Sequence, residues 1–280
     1  MKKISAAFDG LKFSESTMRY AINIAEESKA ILSGVFLDDF LYHSYNVFDV
    51  VGRKGIPGEK LEHLLEKDKK IRNESVAYFE AACGKANINY ITHRDKSFAI
   101  LELLKESIYS DLLIIGNSET LAHHEEKPPT AFVRNLLAEA QCPVLIVPAT
   151  YKKIEKVVLL YDGSPSSVFA IKMLNHMMPW LQGHQTEVVS VSDPKSGRSI
   201  PEEGLMREFI NSHYTGAKYT ILRGDPEEKI IKHLKKIPEN MLVVLGAYRR
   251  STVSRWFKTS MADNLMEELD VPLFIAHNKS

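Results

Sequence analysis

The chain has 280 residues, 44% of them hydrophobic and 26% charged, with 36 Lys and Arg balanced by 36 Asp and Glu. Zero net charge argues against a protein whose main partner is a nucleic acid backbone. No apolar run approaches the ~18–20 residues of a membrane span, and the basic start reaches Asp9 before a signal-peptide core could form. A soluble, cytoplasmic protein with no membrane partner is expected, Cys83 and Cys142 being separate reduced thiols rather than a redox pair.

Ile4–Phe8 is a short apolar run stopped by Asp9-Gly10, and Ser14 stands where it can cap a helix whose face is Met18, Ala21, Ile22 and Ala25. Ile31–Leu37 reads as the next strand. An irregular aromatic stretch follows, with Phe40, Tyr42, Tyr45 and Phe48 and the breakers Gly52, Gly55 and Gly58. Its aromatic side chains suit packing better than ligand recognition. A long helix is predicted from Lys60 to Cys83, a strand over Ile88–Thr92 and a helix over Phe98–Ser107. His93-Arg94-Asp95 reads as a strand-end turn. Asp111–Gly116 is a buried strand, Phe132–Ala140 a helix and Pro143–Pro148 a strand.

After the polar connector Ala149–Glu155 the pattern starts again. Val157–Gly163 repeats Ile4–Gly10 down to its aromatic-Asp-Gly ending. A helix led by Ser164, a strand over Glu187–Val191 and a helix over Leu205–Ser212 follow. Tyr219–Leu222 is a strand ended by Arg223-Gly224-Asp225-Pro226, and Glu227–Ile237 is helical. Met241–Gly246 is a strand, and a polar loop and helix lead to the closing strand after Val271-Pro272. The step from Gly246 to Pro272 nearly equals that from Gly116 to Pro143. The extra length of the first half falls in the aromatic stretch and the long helix after Asp38. Two tandem α/β domains are expected, residues 1–150 and 151–280, each a doubly wound parallel sheet. Ligands of such sheets bind where the carboxyl end of a strand meets the next helix, whose free N–H groups favour anions.

The ordered set Phe8-Asp9-Gly10, Tyr161-Asp162-Gly163, Gly224-Asp225-Pro226, Gly116, Gly246, Cys142-Pro143 and Val271-Pro272 resembles the universal stress protein family in tandem form. The resemblance implies a five-stranded sheet of order 3-2-1-4-5 in each half, of the adenine nucleotide alpha hydrolase-like kind. It also implies that the last strands of the two halves meet as an internal pseudo-dimer, with a further homodimer open. Members that bind ATP carry Gly-x2-Gly-x9-Gly-Ser/Thr after the fourth strand, where glycines admit phosphate to the backbone. The second half keeps this spacing with altered residues. Gly246 and Ser260 match, while Arg249 and Thr259 stand where glycines would. Arg249, Arg250 or Arg255 would give charge-assisted contacts to phosphate, or else serve as solvated loop cations.

In the first half Gly116 is kept, but Glu119 replaces the second glycine, one residue is inserted and Thr130-Ala131 replaces Gly-Ser. Glu125 and Glu126 add charge that repels phosphate. The first nucleotide loop is therefore expected to be degenerate. By resemblance, Asp9 and Asp162 take the place of the adenine-side aspartate, although each also suits a helix-entry turn. Val191 falls near the backbone contact to adenine, and Gly224 equally serves its own turn. The expected cofactor is ATP or another adenine nucleotide, held by Asp162, Gly163, Val191, Gly224, Gly246, Arg249, Thr259 and Ser260. Metal ligands and catalytic residues are not expected. His123-His124 lacks partners at ligand spacing, and neither a Walker Gly-Lys-Ser/Thr nor Gly-x-Ser-x-Gly occurs. Two readings compete with nucleotide binding by a non-catalytic stress-response protein. One is a scaffold acting through its surfaces with both clefts degenerate, and the other is a slow ATPase.

Overall fold

The computed structural model describes residues 1–39, 58–122, 125–192, 200–246 and 261–276. The chain divides into two compact units, Lys2–Gln141 and Met1 with Cys142–Ser280. In the first, β1 (Lys3–Asp9), α1 (Glu15–Ser28), β2 (Ile31–Asp39), α2 (Gly58–Lys85), β3 (Tyr90–Ser97), α3 (Ala99–Ile108), β4 (Leu112–Gly116) and α4 (Ala131–Glu139) follow one another. The strands are parallel, in the order β3-β2-β1-β4. β4 is buried along its whole length and β1 along all but its first residue, as strands covered on both faces must be. Ser14 caps α1 as expected, its hydroxyl accepting from the Thr17 N–H at 3.1 Å.

β3 differs from its sequence reading. The strand does not turn at His93-Arg94-Asp95 but continues to Ser97, because each residue from Tyr90 onward pairs with β2, from Leu32 through Asp39. The long helix α2 packs on bare backbone. A Cβ on Gly34 would come within 2.6 Å of the Phe79 ring. Phe79 in turn joins Phe8, Phe13 and Phe36 in an aromatic cluster with neighbouring centroids 5.0–5.7 Å apart.

The second unit holds β5 (Val144–Val147), β6 (Lys156–Leu160), α5 (Pro165–Met177), β7 (Gln185–Ser192), α6 (Glu203–His213), β8 (Lys218–Arg223), α7 (Pro226–Leu234), β9 (Met241–Gly246), α8 (Met261–Glu268) and β10 (Leu273–Ala276). A 3-10 turn over Pro179–Gly183 precedes β7. β8-β7-β6-β9-β10 is a parallel run in the expected 3-2-1-4-5 order. The first half follows the same order as far as its own unit extends, with the four strands β3-β2-β1-β4. Its fifth, β5, lies in the second unit and pairs antiparallel with β10, Leu273 opposite Ile146 and Ile275 opposite Val144. Both strands are wholly buried, and each supplies the other with ladder partners that an exposed edge would lack. Ser164 and Asp225 cap α5 and α7, each followed by proline in the first turn, where a missing N–H costs nothing.

Each unit also contains an acid held by a lysine and a histidine at the amino-terminal ends of its strands. The buried Glu187 carboxylate accepts from Lys156 Nζ, from Thr220 Oγ1 at 2.6 Å and bonds His233 Nε2 at 2.8 Å. Burial alone would raise its pKa. The three partners, Lys156 foremost, instead bring it down to about 2. In the first unit Glu106 bonds His93 Nδ1 at 2.5 Å, Lys3 Nζ at 3.2 Å and Ser5 Oγ at 3.3 Å. There too burial opposes ionisation and His93 and Lys3 outweigh it, lowering the pKa. Lys3 and Lys156 open the first strand of their repeats. Acid and histidine, however, have exchanged elements. The acid is on α3 and the histidine on β3 in one unit, whereas the acid is on β7 and the histidine on α7 in the other.

Candidate functional site

In the second unit, β6 is followed by Tyr161-Asp162-Gly163, and the chain must reverse at once to begin α5. Asp162 is 6% exposed, and its Oδ1 accepts the Ser164 N–H at 2.9 Å. This closes the turn. Gly163 adopts φ +79°, and a Cβ there would lie 2.4 Å from Pro201 Cβ, so both conformation and space require glycine. Tyr161 donates its hydroxyl to the Pro201 carbonyl at 2.9 Å. Gly246, at the end of β9, approaches the same turn. A Cβ there would stand 2.2 Å from the Ser166 carbonyl carbon and oxygen and 2.6 Å from the Ser167 nitrogen. The first turn of α5 therefore rests directly on Gly246.

The structure thus brings Asp162, Gly163 and Gly246 together at the carboxyl ends of β6 and β9. Val191 is buried at the end of the adjacent strand β7, paired with Leu222 of β8. Gly224 follows β8 with φ +117°, as its turn requires. Arg249, Arg250, Arg255, Thr259 and Ser260 lie outside the described residues, as do the aromatic stretch Phe40–Phe48 and His123-His124. Tyr161 and Gly163 also line an apolar groove of about 780 Å³ between α5 and α6, with Phe169, Met206 and Phe209 among its walls.

The equivalent region of the first unit starts from the same turn. Asp9 is buried, and its Oδ1 accepts the Leu11 N–H at 2.7 Å. The surroundings then diverge. Arg72 and Ser75 of α2 close over the turn, Arg72 donating to the Leu37 carbonyl at 3.1 Å and Ser75 to the Gly10 carbonyl at 2.9 Å. After β4 the loop is occupied by its own acids. The Glu119 carboxylate accepts from the backbone N–H groups of Leu121 and Thr120. Burial, and then the nearby Asp9 charge, push its pKa up to about 8. Glu126 accepts the Ala131 N–H at 2.7 Å, taking a free donor at the start of α4. Thr130 caps the same helix at Val133 N, 3.2 Å away, and donates its hydroxyl to the Glu119 carbonyl.

Comparison with known proteins agrees with this architecture. No protein-family model matches the chain. A universal stress protein of Synechocystis sp. is 22% identical over 288 residues, covering 98% of this chain and 99% of that one. The chain resembles the universal stress proteins over nearly its whole length. A crystal structure of a universal stress protein from Archaeoglobus fulgidus matches with a TM-score of 0.66 at 15% identity, covering 99% of this chain and 97% of the other. A Pseudomonas aeruginosa protein of unknown function matches with a TM-score of 0.61 at 14% identity, covering 99% and 92%. At these identities the structural matches establish the fold.

Against the universal stress protein pattern, Glu119 and Glu126 stand out as residues whose contacts the sequence did not disclose. Glu126 was legible as a charge that repels phosphate, and Glu119 as a replacement of the second glycine. Their attachment to backbone N–H groups that a bound anion would use was not. Among the described residues, no group of three or more His, Cys, Asp and Glu is placed to hold a metal ion. No described helix is long and apolar enough to cross a membrane.

Proposed function

We propose that this chain is a tandem universal stress protein that binds an adenine nucleotide, ATP foremost, in its second half and performs no chemistry on it. The observation that supports this most is the contrast between the two clefts. In the first, Glu119 and Glu126 satisfy the backbone donors of the loop and helix start. In the second, Asp162, Gly163 and Gly246 converge, Arg249 stands at the position that Glu119 takes in the first, and Thr259 and Ser260 stand where the first has Thr130 and Ala131. In this reading Asp162 takes the adenine side, Val191 contributes backbone and Gly224 lines the approach. Arg249 and the hydroxyls of Thr259 and Ser260 meet the phosphates. The first half serves as a structural partner.

Calorimetric titration with ATP and AMP, with and without Mg²⁺, tests the proposal on the wild type and on Ser260→Asp and Arg249→Glu. Gly246 is unsuitable for this purpose because its replacement would disturb α5. Saturable heat in the wild type, reduced at least tenfold in both variants with an unchanged melting temperature, is the expected result. No heat at millimolar nucleotide would overturn the nucleotide reading and leave the chain a scaffold. Release of inorganic phosphate on prolonged incubation would overturn the non-catalytic part alone.

A further inference from the structure

The outward face of α3 carries apolar side chains where a solvated helix would be polar. Phe98 is 56% exposed, Leu101 58%, Ile108 60% and Tyr109 72%. At 100° per residue Leu101, Glu102, Lys105 and Ile108 fall within an arc of about 120° on the helix, and Phe98 and Tyr109 flank its two ends. Ala99, Leu103 and Ser107 are buried on the opposite side. Counting exposed aromatics and aliphatics together, the patch offers on the order of 400 Å² of apolar surface, the size of the largest patch on a typical soluble monomer, which is often functional.

We propose that this face is the contact between two copies of the chain, related by a two-fold axis crossing α3 between Leu103 and Leu104. The pattern of charge argues for a second copy over an unrelated partner. A two-fold contact is self-complementary, so each residue must suit the one that the axis sets opposite it. With α3 antiparallel to its mate, Phe98 meets Tyr109 of the second copy and Leu101 lies by its Leu104 and Ile108. Glu102 then faces Lys105 of the second copy. Within one chain Lys105 Nζ lies 3.7 Å from Glu102 Oε2, on an exposed side of the helix. The axis would turn this pair into a ring of four alternating charges bordered by apolar side chains. Two patches of this size together bury about 800 Å², less than the roughly 1,200 Å² at which stable specific interfaces begin, so a weak, reversible dimer is expected.

Sedimentation velocity on the full chain across micromolar to millimolar concentration tests the proposal. Wild type should pass from monomer to dimer. Ile108→Glu should weaken association at least tenfold by placing charge in the apolar zone. Glu102→Lys should do the same by setting lysine against lysine, and the double variant Glu102→Lys with Lys105→Glu should restore it. These side chains are exposed or peripheral to the core, so thermal melts of dilute samples should coincide, separating loss of contact from loss of fold. A monomer throughout the range, association indifferent to Ile108→Glu, or a double variant no better than the single would each overturn the proposal.

Discussion

Replacing Glu187 by Gln keeps the side-chain shape while removing the charge that Lys156, Thr220 and His233 surround. In the wild type the carboxylate is 2% exposed and bonded to all three. The amide leaves the Lys156 ammonium beside a neutral group and turns one acceptor into a donor that faces other donors. A carboxyl lowered from 4.5 to about 2 would correspond to a ceiling of about 3 kcal/mol. Charge-assisted hydrogen bonds of this kind give about 1.5–3 kcal/mol, so we expect a loss of about 2–3 kcal/mol at neutral pH. Both tryptophans, Trp180 and Trp256, belong to the second repeat, so tryptophan fluorescence during urea unfolding follows this half by itself. The midpoint should fall by about 1 M urea at a typical slope. The pH dependence supplies a second check. Because the folded pKa is depressed, the carboxylate's contribution is complete above the unfolded value and disappears as pH falls through the window from 4.5 to about 2. Wild type and variant should therefore converge across that window. A loss below about 0.5 kcal/mol, typical of an exposed ion pair, would refute the argument that burial gives this cluster its weight. The exposed Lys235–Glu268 pair is the matching control.

Glu119 should behave in the opposite sense. With a folded pKa raised to about 8, it is protonated below that value in the native chain, so its effect on stability is most favourable at low pH and declines from about 4.5 to about 8. Carbon-13 carboxyl titration should find its midpoint near 8, and in Glu119→Gln the decline should vanish; a midpoint near 4.5 would reject the half-buried placement beside Asp9. Gly246→Ala should cost more than about 3 kcal/mol, since its Cβ would overlap the Ser166 backbone, which cannot swing aside as a flexible side chain would. The matching Gly116→Ala should be far milder, its nearest neighbour being Thr17 Oγ1 at 3.5 Å. Equal melting shifts for the two alanine variants would contradict this difference.

Much of the protein was legible in the chain because the signals are local. Ser14 and Ser164 announce helix starts through their hydroxyls, whereas Asp225, read as part of a turn, proved to cap the helix that Pro226 begins. Unbroken apolar runs such as Leu112–Gly116 and Met241–Gly246 identify strands covered on both faces, and the repeated aromatic-Asp-Gly endings reveal the tandem plan. Turn chemistry at Asp9 and Asp162 likewise depends on residues only two positions away.

Other features depend on residues far apart in sequence, and there the pattern was silent. Period and composition make β5 a buried strand but cannot say that it pairs with β10, the last strand of the other repeat. Lys156, Glu187, Thr220 and His233 look like ordinary polar positions on four separate elements until the fold brings them together. Glu119 displays its charge in the sequence, but only the folded loop aims it at backbone donors near Asp9 and raises its pKa. The sequence by itself determined the elements, their caps and their repetition, since those follow from backbone geometry and nearest neighbours. The tertiary structure decided which charges are paired, which cleft fills itself and which strand crosses to the other repeat, because each depends on distances that sequence separation does not encode.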